Sequence, residues 1–295
     1  MSTLGIIGGS GLYDLAGLTD VAEVRVATPF GEPSDALVRG RLGNTTLLFL
    51  PRHGRGHRIA PHRINYRANI FALKMLGVEQ IVSVSAVGSL KEDIHPGDMV
   101  LVDQFIDRTR DRASTFFDEH GVVAHVGFGD PTDDALRAAL HEAAKQTGAR
   151  VHVGGTYVCM EGPQFSTRAE SQMYRGWGAS VIGMTNLPEA KLAREAELPY
   201  ASLSMATDYD CWHQSEEAVT VEAVIAVMTK NVNTAREIIR HVAARLPDPS
   251  KSPAASALKD AIMTAPAHIT KHARQELAPL IAKYLPPESS ACVLL

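Results

Sequence analysis

The chain reads as an α/β protein: a single domain with a central β-sheet flanked by helices, followed by a C-terminal helical extension. Three observations predict this. Short apolar runs alternate with helical stretches along the chain. The first three runs each empty into a turn of glycine or small residues. A proline-rich segment, Leu246-Pro247-Asp248-Pro249-Ser250-Lys251-Ser252-Pro253, separates this body from a last amphipathic stretch. We therefore expect a domain over residues 1–245. Residues 246–295 are expected to be a linker and helical extension packed on that domain or on a neighbouring subunit.

The strands follow in order. Gly5-Ile6-Ile7 leads into Gly8-Gly9-Ser10-Gly11, Thr46-Leu47-Leu48-Phe49-Leu50 into Arg52-His53-Gly54, and Ile81-Val82-Ser83-Val84 into Ser85-Ala86-Val87-Gly88-Ser89. Met99 to Val102, Ser180 to Ile182 and Tyr200 to Ser204 supply three more. Helices separate them. Ala68, Phe71, Ala72 and Met75 repeat at helical spacing, and Gly77 supplies a left-handed stop. Thr132 is the expected cap of a helix with Asp133 and Asp134 in its first turn; Leu136, Ala139, Leu140 and Ala143 form its apolar stripe. Val221, Val224, Ile225 and Met228 open a long helix toward Arg245, and Leu277, Leu280, Ile281 and Tyr284 mark the last one.

Composition narrows the function classes. The 295 residues are 45% apolar and 21% charged, with a formal net charge of −4, which suits a globular protein and offers nothing to nucleic acid. No apolar run approaches the roughly 20 residues that span a bilayer, and Met1-Ser2-Thr3-Leu4 lacks a charged signal region. Three cysteines, Cys159, Cys211 and Cys292, have no paired spacing and fit a reducing, cytoplasmic location. Cys292-Val293-Leu294-Leu295 formally matches a prenylation box, but the residues before it are not polybasic.

The chemistry concentrates in short turns. Asp208 and Asp210 lie one residue apart after a strand, so their carboxylates can converge on one small polar object such as the N7 and amino edge of adenine. Taken alone, the pair also fits a solvated turn. The Gly8 to Gly11 turn lets backbone N–H groups approach an anion, with the Ser10 hydroxyl as a further donor. It is neither a P-loop nor a dinucleotide fingerprint. Arg52 offers a planar fork suited to two phosphate oxygens and His53 a third donor, although a surface ion pair would also explain the arginine. His53, His57 and His62 are interleaved with Arg55, Arg58 and Arg63, which would repel a cation, so no metal is expected. Ser85 and Ala86 follow the third strand, Phe165 could stack on a flat ring, and Met184-Thr185 places a soft apolar residue beside a hydroxyl.

Seven motifs in register carry a more specific reading. Gly8-Gly9-Ser10-Gly11-Leu12, Pro51-Arg52-His53-Gly54, Asn65-Tyr66-Arg67-Ala68-Asn69, Gly97-Asp98, Glu161-Gly162-Pro163, Gly183-Met184-Thr185 and Asp208-Tyr209-Asp210-Cys211-Trp212 occur in one order. Over about residues 4 to 245, the chain resembles the trimeric nucleoside phosphorylase family, in the branch that acts on 5′-methylthioadenosine. The resemblance implies a nucleoside phosphorylase-like fold with a mixed central sheet. It implies a phosphate site of Ser10, Arg52, His53, Ser85, Ala86 and Thr185, Met184 under the ribose, and Asp208 and Asp210 on the base. It further implies that Ser166 and Val221 select a 5′-alkylthio group and that His125 reaches a neighbouring subunit's site.

The expected reaction is reversible phosphorolysis of methylthioadenosine to adenine and 5-methylthioribose 1-phosphate, serving purine and methionine salvage. Phosphate is a co-substrate and no cofactor is expected. The partners would be small molecules, with neither nucleic acid nor membrane, in a homo-oligomer (a trimer or a dimer of trimers). A broader purine nucleoside or methylthioinosine phosphorylase is an alternative on the same fold. A nucleoside-binding sensor is an alternative of another class, disfavoured because it has no need of a second, anionic ligand.

Overall fold

The computed structural model describes residues 2–9, 11–213 and 221–286, the stretch 221–225 in its backbone alone. In chain order the strands are β1 (Ser2–Gly8), β2 (Thr19–Val24), β3 (Leu37–Leu42), β4 (Thr45–Pro51), β5 (Gln80–Ser89), β6 (Met99–Leu101), β7 (Gln104–Arg108), β8 (Val151–Val153), β9 (Thr156–Met160), β10 (Val181–Gly183) and β11 (Tyr200–Tyr209). The helices are α1 (Tyr66–Met75), α2 (Asp134–Lys145), α3 (Arg168–Gly176), α4 (Asn186–Glu195), α5 (Val221–Ala243), α6 (Lys271–Glu276) and α7 (Ala278–Ile281).

The strands form one mixed sheet. β1 runs parallel to β4 and β5, and β5 parallel to β11, while β3 pairs antiparallel with β4 and β10 antiparallel with β5. The central strands read as unbroken apolar runs because both faces are covered. On one face, Leu4, Ile6, Val82 and Leu203 pack with Leu136 and Leu140 of α2 and Ile238 and Val242 of α5. On the other, Ile7, Leu48 and Ile81 pack with Ile70 and Phe71 of α1 and Leu187 and Leu192 of α4.

β5 is the pivot. Its first residues, Gln80 to Ser83, pair with β1, and its last two, Gly88 and Ser89, pair with β10. Along its other edge β11 pairs from Ile81 to Ser89. β1 stops before β10 begins, so Val84 to Val87 face a gap in the sheet at the carboxyl ends of the parallel strands. Open α/β sheets place ligands in such a crevice.

Local chemistry explains several element ends, and in places it differs from the reading above. α1 is capped by Asn65, whose side chain accepts from Ala68 N, and ends before Gly77 at φ 76°. α2 is capped by Asp133 rather than Thr132: the Asp133 carboxylate accepts from Leu136 N at 2.7 Å, while Thr132 Oγ1 accepts from Arg137. The shorter carboxylate contact at the N3 amide decides it. β2, β3, β7, β8 and β9 lie outside the six strands expected. β2 is almost wholly exposed and lacks an apolar face, and β8 is only three residues long.

The segment after α5 lies on the α1–α4 face. Leu258, Leu277, Leu280 and Ile281 are fully buried there, and Leu258 N donates to the Glu197 carboxylate. The expected last helix is broken into α6, α7 and a 3₁₀ turn over Ala282–Tyr284. Leu277 caps between the two helices, and Pro279, which has no N–H to donate, fits only the first turn of α7. Cys292 lies outside the described residues.

Candidate active site

A cavity of about 760 Å³ occupies the gap in the sheet, lined by Gly9, Arg52, His53, Ser85, Ala86, Phe165, Met184, Thr185, Asp208 and Asp210 among others. Nine of the site residues expected from sequence therefore meet at one place, although they come from five separate segments.

At one end lies the turn after β4. Arg52 is only 2% exposed, and its two-nitrogen edge closes on Glu189 of α4: Nε donates to Oε2 at 2.7 Å and Nη2 to Oε1 at 3.0 Å. Nη2 also donates to Ser83 Oγ and Nη1 to the Val84 carbonyl. The fork expected to grip two anion oxygens is thus directed at a carboxylate inside the protein. Burial alone would lower the arginine's pKa, but the Glu189 charge and hydrogen bonds raise it, so it stays protonated. His53 Nδ1 stands 2.8 Å from the Ile59 carbonyl, and the ring stacks on His57 with centroids 4.2 Å apart. Burial pushes His53 down to about 4, and the charges of Arg52 and His57 add to that push. Ser85 Oγ donates to Asn186 Oδ1 at 3.2 Å. Thr185 precedes α4 without a side-chain capping bond, which leaves its hydroxyl for the cavity.

At the other end, β11 delivers the paired carboxylates. A β-bulge shifts its register between Ala206 and Asp208, and Asp98 and Gly97 pin it there through paired backbone bonds with Ala206. Asp208 lies within the strand and Asp210 just past its end, yet both pack over Gly88 of β5. A Cβ built on Gly88 would meet Asp208 Oδ1 at 3.3 Å and Asp210 Cβ at 3.4 Å. Asp208 Oδ2 accepts from Thr207 Oγ1 at 2.7 Å. Burial raises the Asp208 pKa; the Thr207 bond opposes this and the Asp210 charge adds to it. Asp210 Oδ2 is buried with no hydrogen-bond partner among the described residues. Trp212 anchors the segment by donating from its indole to the Ser89 carbonyl, under the Arg175 guanidinium.

The wall between the two ends depends on residues that the sequence reading passed over. Arg112, 2% exposed, donates to the carbonyls of Met184, Leu187, Met160 and Glu161 and to Tyr66 Oη. It ties together the segments carrying Met184 and the Glu161-Gly162-Pro163 loop. The Tyr157 hydroxyl fills the space beside Gly183, where a Cβ would lie 2.0 Å from it. Nothing in the sequence signals Glu189 or Arg112, because their partners are dozens of residues away. Gly88 was legible only as a small residue in a turn.

Other expected residues lie elsewhere or are not described. Phe165 stands at the cavity rim, 83% exposed. Ser166 does not line the cavity; its Oγ points to Met160 Sδ at 3.2 Å. His125 is also away from it, on a segment held by a backbone bond to Ala261. Ser10, between the cavity-lining Gly9 and Gly11, lies outside the described residues, as does the side chain of Val221. Among the described residues no group of three or more His, Cys, Asp or Glu is arranged to hold a metal, and no helix is long and apolar enough to cross a membrane.

Known proteins are similar to this chain in sequence and in fold. The sequence pattern of the Phosphorylase superfamily matches residues 3–244. An S-methyl-5′-thioadenosine phosphorylase of Geobacter sulfurreducens is 56% identical over 283 residues, 96% of this chain and 99% of that one. That of Koribacter versatilis is 54% identical, covering 95% and 96%. A crystal structure of methylthioadenosine phosphorylase from an antarctic soil metagenomic library superposes with a TM-score of 0.90 at 48% identity, over 95% of this chain and 98% of that one. Methylthioadenosine phosphorylase from Schistosoma mansoni in complex with adenine gives 0.81 at 38% identity, over 91% and 98%. With its motifs, its mixed sheet and its near full-length relatives in agreement, the chain belongs to the Phosphorylase superfamily.

Proposed function

We propose that this chain is an S-methyl-5′-thioadenosine phosphorylase, converting methylthioadenosine and phosphate reversibly into adenine and 5-methylthioribose 1-phosphate. The observation that carries the reading is the pairing, across one cavity, of the Asp208–Asp210 clamp with the turn of Arg52, His53, Ser85 and Thr185. A nucleoside laid between them has its base at the carboxylates and its C1′ facing phosphate.

The chemistry follows from that placement. As the C1′–N9 bond breaks, positive charge grows on the sugar and negative charge on the base. Phosphate held beneath the sugar is both nucleophile and compensating anion. Asp208, kept protonatable by burial and by Asp210, hands a proton to N7, so the base leaves neutral. The buried, unpartnered Asp210 Oδ2 supplies an acceptor for the 6-amino group. An ionised carboxylate repels a 6-oxo group, which favours adenine over hypoxanthine. Met184, Met160, Met205 and Met228 give the cavity a soft apolar lining suited to a ribose and a thioether.

Ser10, and the selection of the 5′-alkylthio group by Ser166 and Val221, belong to the same proposal. So do a homotrimer, in which His125 completes a neighbouring subunit's pocket, a cytoplasmic location and a role in methionine salvage. The deciding experiment is adenine release from methylthioadenosine with and without phosphate. We expect release only with phosphate; release without it would indicate a hydrolase, and tight binding without release a sensor. Comparison with adenosine, inosine and methylthioinosine separates the broader phosphorylase.

A further inference from the structure

At the anion end of the cavity two lining side chains, His53 and Ser85, have given their hydrogens to partners inside the protein. His53 Nδ1 lies 2.8 Å from the Ile59 carbonyl, and a carbonyl oxygen can only accept. Nδ1 therefore carries the ring hydrogen. In a neutral imidazole the other nitrogen, Nε2, then presents a lone pair, and no described residue donates to it.

Burial favours the neutral His53 ring most strongly, and the charges of Arg52 and the stacked His57 in its own loop add to it. The Ile59 carbonyl and Glu189 of α4 oppose this without outweighing it. The Arg52–Glu189 pair is bidentate and buried, so it adds little net charge to the cradle. Ser85 repeats the pattern: its hydroxyl hydrogen goes to Asn186 Oδ1, and the Asn186 amide nitrogen is held by Ser202 Oγ at 2.6 Å. Two side chains on the same wall thus offer lone pairs to the cavity.

An anion with no hydrogen of its own would meet those lone pairs with its own. We propose that this site takes its tetrahedral anion in a protonated form, with the P–OH of hydrogen phosphate donating to His53 Nε2. The inference rests on the proposal that phosphate is the co-substrate, and adds that the site reads the anion's proton as well as its shape. His53 acts here as an acceptor, the reverse of the donor role expected from sequence. Tetrahedral oxyanions that keep a hydroxyl at neutral pH, such as phosphate and arsenate, fit the site. Sulfate, which has none, leaves the histidine facing an oxygen that cannot donate.

The test uses the full-length protein without nucleoside. Calorimetric titration with inorganic phosphate, arsenate and sulfate at neutral pH and equal ionic strength measures the three affinities. Phosphate and arsenate are expected to bind within a few-fold of each other. Sulfate is expected to be at least about tenfold weaker, the scale of one unmade hydrogen bond to a buried group. In His53→Leu no acceptor remains at the place of Nε2, so the discrimination against sulfate is expected to fall to about twofold. Sulfate binding as tightly as phosphate to the unaltered protein overturns the inference without any variant and leaves the phosphorylase reading intact. A discrimination unchanged in a folded His53→Leu protein also overturns it. No binding of phosphate, with adenine release independent of it, sinks both readings together.

Discussion

Substituting Gly88 by alanine tests the base clamp by geometry alone. Gly88 does not need a left-handed backbone, so alanine introduces only a methyl group. That methyl would sit 3.2 Å from Ile182 Cγ2, 3.3 Å from Asp208 Oδ1 and 3.4 Å from Asp210 Cβ, each tighter than or at the edge of ordinary contact. Relief needs shifts of a few tenths of an ångström. Ile182 is fixed in β10 and in the Trp212 cluster, so the aspartates are the groups that give way. Mild overpacking of this kind costs about 1 kcal/mol, the low end for a core insertion. Displacing a proton donor and an acceptor from the base should cost more in rate, roughly ten- to a hundredfold in kcat/KM, or about 1.4–2.7 kcal/mol of transition-state stabilisation. Steady-state adenine release and urea unfolding, run on Gly88→Ala beside Gly176→Ala, measure both. Gly176 has nothing within 4 Å of its built Cβ and serves as a neutral control. Full kcat/KM in Gly88→Ala would refute the claim that the clamp is seated on this strand.

Other outcomes follow from the same geometry. Asp208→Asn keeps the shape but cannot give a proton, and should lower kcat by a factor of about 10²–10⁴. Because the acid must be protonated to act, activity of the unaltered enzyme should fall as pH rises through the raised Asp208 pKa, and that limb should vanish in the variant. Glu189→Gln removes the charge that offsets buried Arg52 and should destabilise the fold by about 3–5 kcal/mol in urea unfolding; a loss under about 1 kcal/mol would contradict the role given to the pair. Burial pushes Glu195 up to about 7 from 4.5, against the bonds it accepts from Phe116 N and Thr115 Oγ1. A carboxyl raised on folding contributes stability that is fully present below 4.5 and lost as pH rises through 7. Unfolding free energy should therefore decline by about 3 kcal/mol across that window in the unaltered protein and much less in Glu195→Gln.

The parallel core was legible because strands buried on both faces leave unbroken apolar runs, as in Thr46 to Leu50 and Ile81 to Val84. β2 was not, since an exposed strand needs only a partner's backbone. α3 carried a signal that was passed over: Thr167 and Glu170 form a capping box, the spacing that marks a helix start. α4 was hidden because Leu187 is extended and Pro188 interrupts its periodicity.

What the sequence alone supplied was the candidate cast: two aspartates, an Arg-His turn and a Met-Thr step, each local enough to be read from neighbours in the chain, and all of them line one cavity. Only the tertiary structure decided what those groups face. The Arg52 fork points at Glu189, 137 residues away, and His53 gives its hydrogen to Ile59. Asp208 and Asp210 share a floor that belongs to β5. Hydrogen-bond direction and charge compensation depend on which distant group arrives within about 3 Å, and chain spacing carries no record of that.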